Sequence, residues 1–242
     1  GDLVTVLEQL ENWTKIATAD GYIGYVRNKR LGSVTETTIS NEFTEPEYTR
    51  IKKDYTINLV WHQISNMDSN YALSSDIESM TGVNTISPTW FSVASKDGTV
   101  SSLADSSYVE TAHEKGLEVW GLVDNFNQEV DMKEVLTNTT AREKLTTQLI
   151  EAALEYQLDG LNIDFENLGE ELGDAYIEFL RELSIQCRKN NLVLSSDNTV
   201  PRDFSAYYQR SEQAEVVDYF IIMGYDEHYV GSDPGSVASL SF

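Results

Sequence analysis

The 242-residue chain is poor in cysteine, histidine, proline and basic residues: one Cys, three His, four Pro and 17 Lys plus Arg. A lone Cys187 rules out an intramolecular disulfide framework. It falls on the apolar face of an expected helix and reads as a packed core thiol, not a nucleophile. Three scattered histidines and one cysteine are poor material for a zinc site. The run DEHY at 226–229 does not by itself make one, so neither a metal nor a cofactor is expected. Against the 17 basic residues stand 40 acidic ones, a formal net charge of −23. That balance argues against nucleic acid and anionic membranes as partners, since both need basic surface. The acidity itself is ordinary solubilising charge. No apolar run approaches the roughly 18 to 20 residues of a membrane span, so no membrane insertion is expected. Gly1 runs straight into DLVTVLEQL, without the charged-then-apolar pattern of a secretory leader.

Aromatics, by contrast, are plentiful: 13 Tyr, eight Phe and four Trp. Residues 1–31 read as short alternating strands, LVTVLEQL, WTKIATAD and DGYIGYV, the last opening on the Asp20-Gly21 turn signal. Residues 32–54 are polar, lack periodicity and carry Pro46, the signature of a linker. From Tyr55 the grammar changes. Apolar runs at 56–62, 83–91, 117–123, 158–166, 192–198 and 216–225 read as six strands, and continuous Val/Ile/Leu runs suit parallel strands covered by helices. Between them lie amphipathic segments. One sets Leu145, Leu149, Ala153 and Tyr156 on a face; another does so with Leu172, Tyr176, Phe179, Leu180, Leu183 and Cys187. Asp105 reads as an N-cap and Gly116 as the end of that helix.

Strand–helix repetition means an α/β fold with a parallel sheet, either open and doubly wound or a (β/α)₈ barrel. No GxGxxG or GxxxxGK follows a strand, so a nucleotide-binding open sheet has no support. The barrel has a positive argument, because its sites lie at the C-terminal strand ends. Polar and aromatic residues collect there: Trp61 and His62, Trp90, Asp124 and Asn125, Asp164 and Glu166, Asp197 and Asn198, Tyr225 and Asp226. Six strands fall short of eight, so the expectation is a TIM barrel truncated after its sixth strand.

Within LDGLNIDFENLGEE (158–171), side-chain alternation puts Asn162, Asp164 and Glu166 on one face and Leu161, Ile163 and Phe165 on the other. The first set points into the barrel mouth. Same-face neighbours lie about 6 to 7 Å apart, and two carboxyls that close resist double ionisation. A protonated carboxyl beside an ionised one is what glycosidic cleavage needs. A cation site, or an acidic cluster satisfied by its neighbours, fits the same spacing.

DGLNIDFE resembles the strand-four signature of glycoside hydrolase family 18, the chitinase-like family, usually written DGxDxDxE. MGYD at 223–226 resembles its strand-six Met-x-Tyr-Asp motif. VNTISPTWF and LEVWGLVDN look like the bacterial cell-wall and spore-cortex hydrolase branch. The resemblance covers about 55–242 and implies a (β/α)₈ barrel. It also implies cleavage of β-1,4 bonds next to N-acetylglucosamine, or a non-catalytic, lectin-like sugar binder on the same fold. A metal-dependent deacetylase or esterase would need the clustered histidines that are missing. The resemblance further implies that Glu166 is the general acid, that Asp164 orients the substrate acetamide, that Tyr225 contacts the acetamide oxygen, and that Asp226 is its neighbour. Asn162 stands where the motif has Asp. With Met223, Asn198, Trp61 and Trp90 it completes the expected substrate contacts, and Trp120 is a further stacking candidate. WGLVDN replaces the small-residue SxGG of many chitinases, which points away from chitin and toward peptidoglycan or a related glycan. Residues 1–31, through Trp13, Gly21, Gly24 and Tyr25, resemble the second half of a bacterial Src-homology-3-like wall-binding module; a hairpin packed on the barrel is the alternative. The expected location is extracellular or wall-associated.

Overall fold

The computed structural model describes residues 1–36 and 49–240. The chain divides into two units, Gly1–Glu47 and Tyr48–Phe242. In the first, β1 (Val4–Gln9), β2 (Trp13–Thr18) and β3 (Ile23–Arg27) form an antiparallel sheet in the order β1-β2-β3. Gly21 takes the positive φ of +88° that the turn after β2 requires. Thr14 and Ile16 alternate inward, while Trp13 pairs with Arg27 across the other face, the guanidinium 5.2 Å from the ring centroid. Residues 37–48 of the expected linker lie outside the described residues, as do 241–242. The linker's last residues are fixed in place. The Ile51 N–H donates to Asp218, the Lys53 N–H donates to the Tyr219 hydroxyl, and the Lys53 ammonium pairs with Glu118.

The second unit holds β4 (Leu59–His62), β5 (Thr85–Val93), β6 (Val100–Ser102), β7 (Glu118–Asp124), β8 (Gly160–Asp164), β9 (Val193–Thr199) and β10 (Tyr219–Met223). Its helices are α1 (Leu73–Asp76), α2 (Ser106–Glu114), α3 (Met132–Leu136), α4 (Thr139–Glu155), α5 (Gly173–Lys189) and α6 (Arg210–Val216). Six strands pair in parallel in the order β4-β5-β7-β8-β9-β10, and β6 lies antiparallel to β5. The order follows the chain without the reversal that marks an open doubly wound sheet. The sheet is also rolled: the Trp61 indole of β4 reaches Asn162 of β8 and Asp197 of β9, strands that are not its neighbours. These six strands make a half-barrel wall, and the sheet has no crevice of the nucleotide-binding kind.

The rolled sheet has two faces with different chemistry. Outward, Ile86, Val119, Val123, Leu161, Ile163 and Leu194 join Leu145 and Leu149 of α4 and Phe179, Leu180 and Leu183 of α5 in one apolar core. Cys187 is buried there, and burial pushes its thiol pKa up, away from reactivity. The helices start as their sequences suggest. Asp105 accepts from the Tyr108 N–H, and Asn138 accepts from the N–H groups of Thr140 and Ala141. Inward, the buried residues include Thr85, Ser87, Trp120, Leu122, Asn162, Asp164, Val193, Ser195 and Asp197. Trp120 lies beside Gly160, where a Cβ would come within 2.7 Å of the Val193 carbonyl and 3.1 Å of the indole. Its ring faces Tyr219 and its N–H donates to Glu118. Trp120 therefore fills the barrel interior below the mouth.

Candidate active site

Strand β8 ends at Asp164, two residues short of the expected 158–166. Phe165 turns outward onto Phe179, with centroids 5.4 Å apart and rings nearly parallel. Glu166 lies past the ladder, yet its backbone is held at both polar atoms. Its N–H donates to Asn125 Oδ1 at 2.8 Å, and its carbonyl accepts from Asn125 Nδ2 at 2.9 Å. The Tyr208 hydroxyl donates to the Phe165 carbonyl at 2.9 Å and accepts from the Leu168 N–H. Asn125, just past β7, and Tyr208, in the connection between β9 and α6, thus immobilise a segment that has left the sheet.

Asn162 is the hub of the interior. Its Oδ1 accepts from Ser87 Oγ at 3.0 Å and from Trp61 Nε1 at 3.1 Å, and its Nδ2 donates to Asp197 Oδ1 at 2.9 Å. The same Trp61 N–H lies 3.2 Å from Asp197 Oδ2. Asp164 differs sharply, for its Oδ1 is buried without a hydrogen-bond partner. Burial first, then the charges of Asp197, Glu166 and Asp124, push the Asp164 pKa up to about 8. Burial also lifts Asp197, to about 7, against the pull of hydrogen bonds from Asn162 and Trp61. Glu166 is raised by burial and by the neighbouring Asp226. Asp226 is exposed and takes a positive φ of +62°. Tyr225 reaches about 12 through burial and the surrounding carboxyls. Its hydroxyl donates to Met223 Sδ at 2.9 Å, and its ring meets Trp61 edge-on at 6.5 Å.

One mouth thus gathers Trp61, Asn162, Asp164, Glu166, Met223, Tyr225 and Asp226. Two expected contacts lie elsewhere. Trp90 is the extra residue of a bulge, where the β5–β7 register slips between Thr89 and Phe91. Its indole goes into the helix layer, donating to Asn70 at 2.8 Å and packing edge-on against Tyr108. Asn198 is on the outward parity of β9, bonded to Gln213 of α6 in both directions. The inward residue there is Asp197, its neighbour in sequence; only strand parity distinguishes the two. Ser87, inside β5, carried no signal, and Asn125 none beyond lying at a strand end. His62 also faces outward, to Tyr108 and Asp76. His228 of DEHY donates to the Ser236 carbonyl. Among the described residues no group of three His, Cys, Asp or Glu is placed to hold a metal ion. None of their helices is long and apolar enough to cross a membrane.

A rolled parallel sheet with paired carboxyls at its C-terminal edge agrees with the family match. The model for glycosyl hydrolases family 18 fits residues 54–240. The chain belongs to that family. It is 29% identical over 159 residues to the uncharacterized glycosylase YvbX of Bacillus subtilis (strain 168), covering 61% of this chain and 46% of that protein. It is 24% identical over 157 residues to the cortical fragment-lytic enzyme of Bacillus anthracis, covering 61% and 36%. The chain therefore spans less than half the length of these two relatives. Its fold matches the Bacillus cereus spore cortex-lytic enzyme SleL with a TM-score of 0.66 at 19% identity, over 76% of this chain and 44% of that one.

Proposed function

We propose that this family 18 chain cleaves β-1,4 bonds next to N-acetylglucosamine in peptidoglycan or a related glycan, with the substrate's own acetamide as nucleophile. The observation that carries the reading is Glu166, lifted in pKa at the lip of the mouth and rigidly held by Asn125. A carboxyl that keeps its proton can donate it to a leaving oxygen. Asp164, the last residue of β8, lies two positions before it along the chain and does not face it across a bond. A retaining enzyme with its own nucleophile instead sets two carboxyls on either side of the bond, about 5 to 5.5 Å apart. In the proposed sequence Glu166 protonates the glycosidic oxygen and the acetamide oxygen attacks the anomeric carbon. Asp164 and Tyr225 hold the acetamide, and water then opens the oxazolinium ion with Glu166 as base. Trp61 presents its partly exposed ring beside Tyr225 as a sugar platform.

The test is release of reducing ends from peptidoglycan and from N-acetylated chito-oligosaccharides, each compared with its de-N-acetylated form. Cleavage of the acetylated glycans alone supports the reading. Equal cleavage of both removes the acetamide step, and binding without cleavage leaves a lectin-like protein.

The first unit extends the proposal to a wall-bound, extracellular setting. Its exposed face carries Trp13, Ile23 and Tyr25 beside Lys15 and Arg27, an aromatic and cationic strip on an otherwise acidic chain. Co-sedimentation with purified walls should weaken in Tyr25→Ala while the fold is retained. Unchanged co-sedimentation would remove this role.

A further inference from the structure

Two acidic side chains of the interior are treated very differently by their surroundings. Both Asp197 oxygens accept hydrogen bonds, one from Asn162 and one from Trp61. Asp164 has a buried oxygen that accepts none. A donor aimed at a carboxylate oxygen favours the ionised form, and burial without a donor disfavours it. When two such groups lie close together, the proton goes to the one without donors.

We propose that Asp197 is a positioning residue of this site: an anion gripped by Trp61 and Asn162 whose charge keeps the proton on Asp164. No residue of β8 supplies this anion, because position 162 is an amide. The neighbouring strand supplies it, and Asn162 serves as the clamp. Every charged group that acts on Asp164 is acidic: Asp197 from β9, Glu166 just past β8, and Asp124 at the end of β7. Asp197 leads the three, though burial is the larger cause. Asp124 is itself engaged, accepting from Ser92 Oγ and the Phe126 N–H. Tyr225 and Asp226 face the mouth from beyond β10, and the buried Tyr176 hydroxyl approaches from α5. The mouth therefore holds three carboxyls with raised pKa, Asp164, Asp197 and Glu166; Asp197 has both oxygens hydrogen-bonded, so above its own pKa of about 7 it is the anion beside Asp164. The part played by a neutral Asp164 in catalysis rests on the proposed function; its protonation does not.

The experiment is a carboxyl-¹³C NMR titration of the full chain labelled at the Asp side-chain carbon, with the Asp164 signal assigned from its loss in Asp164→Asn. In the wild type its main step should lie well above the ordinary aspartate range. Asp197→Asn should lower that midpoint by at least one pH unit. The exchange Asn162→Asp/Asp197→Asn, which keeps the hydrogen-bonded pair and moves the charge onto Asp164's own strand, should restore it. A purely structural Asp197 would not be rescued this way. Trp61→Phe, at a half-exposed position, removes one donor from Asp197 and should also lower the Asp164 midpoint. It serves alone if the Asp197 variant does not fold. An unmoved midpoint in Asp197→Asn, or in Trp61→Phe where that is the variant used, overturns the inference, as does an exchange that restores nothing. A chain that hydrolyses no glycan but shows these shifts would overturn the glycosidase reading and leave the role of Asp197 intact.

Discussion

Glu166 and Asp164 occupy consecutive inward positions, but different forces set their protons. Asp164 is raised by burial and by like charge from three directions, Glu166 by burial and Asp226. The proposed acid must deliver its proton, so the amide variant is the direct test. Glu166→Gln keeps the shape and the Asn125 clamp, which binds backbone atoms only. It should lower turnover on N-acetylated glycan about 10²- to 10⁴-fold with oligosaccharide affinity little changed. Near wild-type turnover would show that another group is the acid. Asn125→Ala should act through position instead. It strips the Glu166 peptide of both partners, so we expect lower turnover together with a stability loss of about 1–3 kcal/mol. Chemical denaturation and turnover measured on the same preparation would check both effects.

At the scale of elements, what was legible in the sequence depended on whether a strand stayed regular. The apolar runs located all six parallel strands, and the 162/164 alternation holds because β8 is straight to Asp164. Where regularity breaks, the reading broke with it. The bulge in β5 sends Trp90 into the helix layer, and a bulge leaves no mark in hydrophobic pattern. On β9, Asp197 and Asn198 are both polar and both buried, so only the register identifies the inward one. Asn125 was invisible as a clamp because its partners are backbone atoms. The two tryptophans turn this into a measurable contrast. Trp90→Ala leaves a cavity among Tyr108 and Phe91 and strips Asn70 Oδ1 of its donor, which should cost about 3–5 kcal/mol. Trp61→Ala, half exposed at the mouth, should cost much less stability but weaken glycan binding. Equal stability losses in urea would contradict these placements.

For the whole molecule, the buried carboxyls give stability an unusual pH dependence. An unfolded aspartate titrates at 3.8, while Asp197 and Asp164 in the fold are pushed up to about 7 and about 8. Between these limits the folded state binds more protons than the unfolded one, so stability falls as pH rises. The contribution is fully present below the unfolded value and is lost as pH passes the folded ones. Each group that is protonated only in the folded state contributes a slope of up to about 1.4 kcal/mol per pH unit. Below pH 4 the trend reverses, because the carboxyls of Asp105 and Glu118, which hydrogen-bonding partners hold low, then lose their charge. Stability should therefore peak in mild acid. The net charge of −23 adds surface repulsion with the same sign at high pH, so salt separates the two causes. Surface repulsion is screened beyond a Debye length of about 8 Å at physiological ionic strength, while a buried cluster is screened much less. Urea midpoints from pH 4.5 to 8.5 in high salt should still decline for the wild type. Asp164→Asn, neutral at every pH, should flatten that decline and be the more stable chain at pH 8. A flat wild-type profile in high salt, or an Asp164→Asn variant that declines just as steeply, would mean that Asp164 ionises freely and holds no proton near neutrality.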